Sequence, residues 1–162
     1  MSETSPNGPI IELVDVYKRF GRQQVLDGVD LRLYAGQVNV VIGESGTGKS
    51  VLLKHIIGLL RPDRGQVLYN RERIDNVSDK QLAKVRRNFG FLFQLGALFD
   101  SLTAGENVAF PLIERTKKSR AQVRRIVEEK LRLVGLVGSR DKLPAELSGG
   151  QRKRVALARA IA

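Results

Sequence analysis

The sequence predicts an α/β fold with strands at the front and helices at the back. Three observations carry that reading. Apolar and polar residues alternate over Ile10–Val16 and Val25–Leu33. A glycine-rich loop separates an apolar run from a helix-periodic one. Capping signatures of the form Ser/Thr-x-x-Glu/Gln begin at Ser78, Thr103, Ser119 and Ser148, and most of them fall after Phe93.

Taken in order, Ser2–Pro9 is polar and carries two prolines, so residues 1–9 are expected to be a flexible leader. Val38–Ile42 reads as a buried strand running into the loop. Val51–Leu60 reads as a helix with Leu52, Leu53, Ile56 and Ile57 on one face. Arg61-Pro62-Asp63-Arg64-Gly65 is a turn and Gln66–Tyr69 a short strand. A helix starts at Ser78 and ends near Arg87, and Phe89–Phe93 reads as an apolar strand. Thr103 opens a short helix. Ser119 opens a longer one with Val123, Ile126, Val127, Leu131 and Val134 at spacings of three and four, and Ser148 opens the last. The expected division is a β-rich core over 10–94 and a helical subdomain over 95–162.

Composition bounds the function. The 162 residues are 42% hydrophobic and 28% charged, which is globular. No cysteine is present, which excludes a disulfide scaffold, a CxxC redox pair and a thiolate metal site. One histidine, His55, cannot form a zinc cluster. No apolar run reaches the roughly 18 residues of a membrane span, and the first eleven residues are too polar for a signal peptide, so a cytoplasmic product is expected. The formal charge of +11 comes from 28 basic and 17 acidic residues. The densest basic stretches, Lys117–Arg125 and Gln151–Arg159, look like solvated helix faces, and no nucleic-acid partner is expected.

Gly43-Glu44-Ser45-Gly46-Thr47-Gly48-Lys49-Ser50 fits G-x-x-x-x-G-K-[ST] between a strand and a helix. Glycines let successive N–H groups turn inward as a nest for phosphate oxygens, and the helix behind adds its positive end. Lys49 supplies a point charge to the β- and γ-phosphates, and Ser50 offers a hydroxyl to Mg²⁺. The loop points to a nucleoside triphosphate without choosing the base. His55 lies five residues further along the same helix. Helix spacing turns it away from the phosphates, so it reads as a core or interface histidine rather than a general base.

Leu147-Ser148-Gly149-Gly150-Gln151 is the second motif. Ser148 caps a helix, Gln151 completes the box, and the glycines leave the first-turn amides uncovered. With this motif in place the sequence resembles the ATP-binding subunit of ABC transporters from Ile10 to Ala162. Walker A at Gly43–Ser50, a Q-loop glutamine at Gln94 and LSGGQ at 147–151 occur in that family's order. The resemblance implies a P-loop NTPase (RecA-like) core with N-terminal antiparallel strands and a helical subdomain. It implies ATP and Mg²⁺ as cofactors, Phe20 stacking on adenine, and Gln94 sensing Mg²⁺ and the γ-phosphate. It also implies Ser148, Gly149, Gly150 and Gln151 facing the nucleotide of a paired subunit, so a homodimer or a paired ATPase subunit is expected.

The run Leu95–Thr103 followed by Glu106–Leu112 looks like the ATPases of Mla/Mce-type lipid transporters. In that family this region contacts the membrane subunit, with Leu98 and Phe99 as apolar contacts. The implied protein energises lipid or phospholipid movement from the cytoplasmic face of the inner membrane, through integral-membrane permease subunits. The family's Walker B strand, with its aspartate and catalytic glutamate, follows the last helix, whereas this chain stops at Ala162. The chain is therefore expected to be a fragment, incomplete at the C-terminus and inactive in hydrolysis alone, since loss of a general base costs about 10²–10⁴ in rate. The alternatives are a soluble ABC-type ATPase of translation or DNA repair, or a non-catalytic ATP-binding module.

Overall fold

The computed structural model describes residues 8–94 and 96–162. Most of the expected leader, and Leu95 of the partner-contact run, lie outside the described residues. Two compact units divide the chain, the first ending at Asn88 and the second spanning Phe89–Ala162.

The first unit is built on an antiparallel sheet of β1 (Ile11–Phe20), β2 (Gln23–Leu33), β3 (Arg64–Tyr69) and β4 (Glu72–Arg73), in the order β2-β1-β3-β4. β1 and β2 form a hairpin with Phe20 opposite Gln23. Alternation along the central strand buries Ile11 and Leu13, and after a register shift Val16, beside Leu26 of β2 and Val67 of β3. The turn before β3 is pinned to β1: Lys18 Nζ meets Asp63 Oδ1 at 2.7 Å, and Arg19 N donates to Asp63 Oδ2 at 2.7 Å. Helix α1 (Lys49–Ile56) packs on β2, and α2 (Asp79–Arg86) buries Leu82.

Two expectations for this unit are corrected. Val38–Ile42 is not a strand. Val38 is 94% and Ile42 90% exposed, because no strand lies beside the segment among the described residues, and an apolar run without a ladder partner cannot bury both faces. Helix α1 stops at Ile56 rather than Leu60. Leu53 points to solvent at 42% exposure, while Leu52, Ile56 and Ile57 are buried.

Among the described residues the second unit has three α-helices, α3 (Ala104–Arg115), α4 (Arg120–Leu133) and α5 (Gly149–Ala160), and a 3-10 turn at Pro144–Glu146. Each begins with a reciprocal capping box at Thr103, Ser119 or Ser148, so the orphan amides of each first turn are partly satisfied from within. Their apolar stripes meet in one core: Ala104, Val108 and Leu112 from α3; Val123, Val127 and Leu131 from α4; Val155 and Ala158 from α5. Full burial of each Val or Leu contributes about 1.5–3 kcal/mol before entropy is counted. Helix α3 is longer than expected. It runs through Pro111 to Arg115, because the stripe from Val108 to Leu112 packs on both sides of the proline.

Phe89–Phe93 is not a strand either. The segment runs against α5, where a Cβ placed on Gly90 would collide with the Ala160 carbonyl oxygen. Leu92 and Phe93 stay exposed, and the rings of Phe91 and Phe93 meet edge to face at 4.6 Å.

Candidate functional site

The phosphate-loop sequence lies in the first unit as an exposed turn that ends in α1. Glu44 closes the turn: its carbonyl accepts from Thr47 Oγ1 at 2.9 Å and from Thr47 N at 3.5 Å. Lys49 folds back over the loop and donates to the carbonyls of Gly43 at 2.8 Å and Glu44 at 2.5 Å. Two of its three ammonium protons are thereby fixed, and the charge is held at the mouth of the turn. Ser50, Glu44, Ser45, Gly46 and Thr47 are all open to solvent.

Gly48 is the N-cap of α1, with φ 91° and no side-chain cap. A Cβ there would stand 2.9 Å from both the Val25 side chain and the Val25 carbonyl oxygen. Both the left-handed backbone and the close approach to β2 demand glycine. All four other α-helices carry a side-chain cap, whereas α1 presents its first amides uncovered, together with a lysine at its first position. A helix end of this kind is a ready anion site. Among the described residues no group of three His, Cys, Asp or Glu could hold a metal ion, so a cation here would rely on the Ser50 hydroxyl and on phosphate oxygens.

Phe20 ends β1 with its ring 46% exposed and the Lys18 ammonium 5.6 Å from the ring centroid. That ammonium is paired with Asp63 and makes a cation–π contact with the ring. His55 is fully buried, with Nδ1 2.7 Å from the Val51 carbonyl, as expected of a core residue. Its Nε2 has no partner among the described residues. Burial pushes its pKa below the ordinary value, partly offset by the Val51 carbonyl.

The second unit carries the other residues. Gln94 is exposed in a turn bracketed by a 2.8 Å bond from Gly96 N to the Phe93 carbonyl. Ser148 Oγ accepts from Gln151 N at 3.2 Å, and Gln151 Oε1 accepts from Ser148 N at 2.8 Å. Gly149 and Gly150 follow in the first turn of α5, both exposed. Nothing lies within 4 Å of a Cβ on Gly150, and only the Arg152 guanidinium, at 3.9 Å, approaches one on Gly149. Packing within the unit therefore gives no reason for either glycine. The opposite side of the helix start is anchored by buried Leu147, whose carbonyl accepts from Arg152 at 2.7 Å.

Sequence reasoning missed two positioning groups. Asn107 is fully buried and binds the backbone around Phe99. A polar residue beside the Ala104, Val108 and Leu112 stripe was the available signal. Arg159 reaches Gly96 and Ala97, more than sixty residues back in the chain, and no local pattern announces that.

A family model described as ABC transporter matches residues 26–162. A probable ribonucleotide transport ATP-binding protein, mkl of Mycobacterium leprae, is 51% identical over 156 residues, covering 96% of this chain and 45% of that protein. The intermembrane phospholipid transport system ATP-binding protein MlaF of Haemophilus influenzae is 41% identical over 156 residues, covering 96% of this chain and 59% of that one. The chain spans about half the length of these curated relatives. Among solved structures, an ATP-binding cassette captured as a dimer after hydrolysis, with ADP and Pi bound, superimposes with a TM-score of 0.88 at 36% identity, covering 94% of this chain and 69% of that one.

Proposed function

We propose, for a chain that belongs to the ABC transporter family, that the protein binds ATP with Mg²⁺ and uses its hydrolysis to energise lipid movement through a membrane permease. The observation that carries the nucleotide reading is the uncapped start of α1 with Lys49 held over the loop by two carbonyls.

On this reading the loop Gly43–Ser50 wraps the phosphates, and Lys49 neutralises charge on the terminal ones. The Ser50 hydroxyl is a ligand for Mg²⁺, and Phe20 offers its exposed ring to the adenine. ATP supplies the free energy, and the residues of this chain bind it and report its state. Gln94 reads the metal and terminal phosphate from its exposed turn. Ser148, Gly149, Gly150 and Gln151 form the uncovered tip that closes on the nucleotide of a second subunit. Two glycines without an internal packing reason support an approach by something outside the unit.

The permease contact is assigned to the run from Leu95 to Leu112, of which Leu98 onward carries the apolar contacts. Phe99 and Phe110 are each about two-fifths exposed, with ring centroids 4.8 Å apart, which suits an apolar partner. No described helix is long and apolar enough to cross a membrane, so attachment to the cytoplasmic face would come from that partner. The names of the relatives point to two cargos, a ribonucleotide for mkl and a phospholipid for MlaF. Lipid is favoured by the resemblance of Leu95–Thr103 and Glu106–Leu112 to the Mla/Mce-type ATPases.

Equilibrium titration with Mg-ATP tests the first step. The parent is expected to bind, and Lys49→Ala to lose at least about tenfold in affinity, equivalent to roughly 1.4 kcal/mol. Absence of binding by a folded parent removes the proposal. Reconstitution with the permease in vesicles carrying labelled phospholipid or labelled ribonucleotide then separates the cargos.

A further inference from the structure

We propose that Arg159 is a positioning residue that straps the Gln94 turn to the signature helix, so that the two ends of α5 report one nucleotide state. This deepens the ATPase reading above and rests on it.

Arg159 stands near the C-terminal end of α5, and Ser148 caps the other end. Eleven residues at the helical rise separate them by roughly 16 Å. The guanidinium donates from one nitrogen to the Gly96 carbonyl at 2.7 Å and from another to the Ala97 carbonyl at 2.8 Å. Its carbon lies 5.9 Å from the Phe99 ring centroid. No carboxylate pairs with it among the described residues. The planar fork is thus committed to two consecutive backbone carbonyls, one from each terminal nitrogen.

The backbone on either side of Gln94 is shaped for the same contact. Gly90 leaves no room for a Cβ against the Ala160 carbonyl. Gly96 has φ 78°, and a Cβ there would stand 3.4 Å from Ala156 Cβ. Gln94 therefore sits between two points that lie against α5, and Arg159 ties down the second. Beyond the tie, Phe99 carries the aromatic surface assigned to the permease. Displacement of Ser148 and the glycines by a closing subunit is carried along a rigid helix to the segment from Gly96 to Phe99.

The test uses the protein assembled with its membrane partner, with Mg-ATP as probe. Amide exchange over residues 96–102 is followed with and without nucleotide, beside steady-state hydrolysis. In the parent, Mg-ATP is expected to slow exchange in both the Ser148 region and 96–102. In Arg159→Gln, nucleotide affinity should stay within about twofold, since Lys49 is untouched. The response at 96–102 should disappear, and kcat should fall by about tenfold at unchanged KM. Arg159→Lys, which offers one nitrogen to the two carbonyls as Lys49 does to its own pair, should keep part of the response. Should Arg159→Gln fail to fold, Gly96→Ala carries the same measurement, with the same loss expected. Retention of the 96–102 response and of kcat in folded Arg159→Gln or Gly96→Ala overturns the strap alone. A parent with no affinity for Mg-ATP overturns the ATPase reading, and the strap with it.

Discussion

Asn107 holds both backbone polar groups of Phe99. Its Oδ1 accepts from Phe99 N at 2.8 Å, and its Nδ2 donates to the Phe99 carbonyl at 3.0 Å. The same amide nitrogen lies 3.0 Å from the Leu102 and Thr103 carbonyls. A fully buried side chain thus replaces secondary structure for the irregular turn that leads into α3 and presents Phe99 outward.

Replacing Asn107 by Ala leaves Phe99 N and the Leu102 carbonyl without this partner in a closed site, while the Phe99 and Thr103 carbonyls keep the amides of Leu102 and residue 107. Each orphaned group costs about 1–3 kcal/mol, less what water recovers, so a loss of about 2–4 kcal/mol is expected. Urea unfolding of the protein measures it. Asn107→Asp should also destabilise, because a carboxylate cannot donate to the three carbonyls. A change below about 0.5 kcal/mol in either variant would show that the turn is held by other contacts.

Gly48 makes two demands at once, a positive φ and close approach to Val25. Gly48→Ala should therefore lose about 1–3 kcal/mol from strain alone and weaken nucleotide binding as the loop shifts. The paired variant Gly48→Ala with Val25→Ala removes part of the steric conflict and leaves the φ penalty. It should recover stability only in part, and thermal melting of the two variants separates the causes.

Local chemistry was legible in the sequence, and pairing over distance was not. Ser78, Thr103, Ser119 and Ser148 each cap a helix as read, because a capping box involves only four consecutive residues. The alternation over Ile10–Val16 and Val25–Leu33 marks the two strands, whereas their pairing as a hairpin, Phe20 opposite Gln23, is seen only in the structure. Val38–Ile42 was misread because an apolar run states only that burial is favourable, whereas a strand also needs a neighbour at hydrogen-bonding distance. Leu53 went wrong through a smaller cause: α1 is only two turns long, and one side of it is solvent. The phosphate loop is contiguous, so its turn could be anticipated. The Arg159 fork joins residues more than sixty apart and becomes visible only in three dimensions.

His55 predicts a pH dependence of stability. Burial lowers its pKa in the folded protein, Lys18 adds to that, and the Val51 and Arg61 carbonyls and Asp63 oppose it. The unfolded chain therefore takes up a proton near the ordinary value of about 6.5 that the folded chain refuses. Stability is full above that value, is lost as pH falls through it, and levels off below the depressed folded pKa. One proton limits the slope to about 1.4 kcal/mol per pH unit. Asp63 does not blur this window. Its own pKa is lowered by the Lys18 hydrogen bond and the Arg19 amide, so its contribution is lost only at more acid pH. Denaturant midpoints at pH 7.5 and about 5.5 should differ in the parent and converge in His55→Leu.

The first turn of α5 predicts opposed effects on stability and function. Alanine is favoured over glycine by about 0.8–1 kcal/mol in a helix interior, and by less in a first turn. Nothing obstructs a Cβ on Gly150, and only a flexible guanidinium lies near one on Gly149. Gly150→Ala should therefore raise the unfolding free energy by a few tenths of a kcal/mol up to about 1 kcal/mol. The same methyl would stand where a second subunit's nucleotide approaches on the proposed reading. ATP-dependent self-association, followed by sedimentation with a slowly hydrolysed analogue, should then weaken by about tenfold or more, as removal of a close backbone approach implies. A variant that is both more stable and fully able to associate would detach Gly150 from the nucleotide interface and leave its presence in a helix without a physical reason.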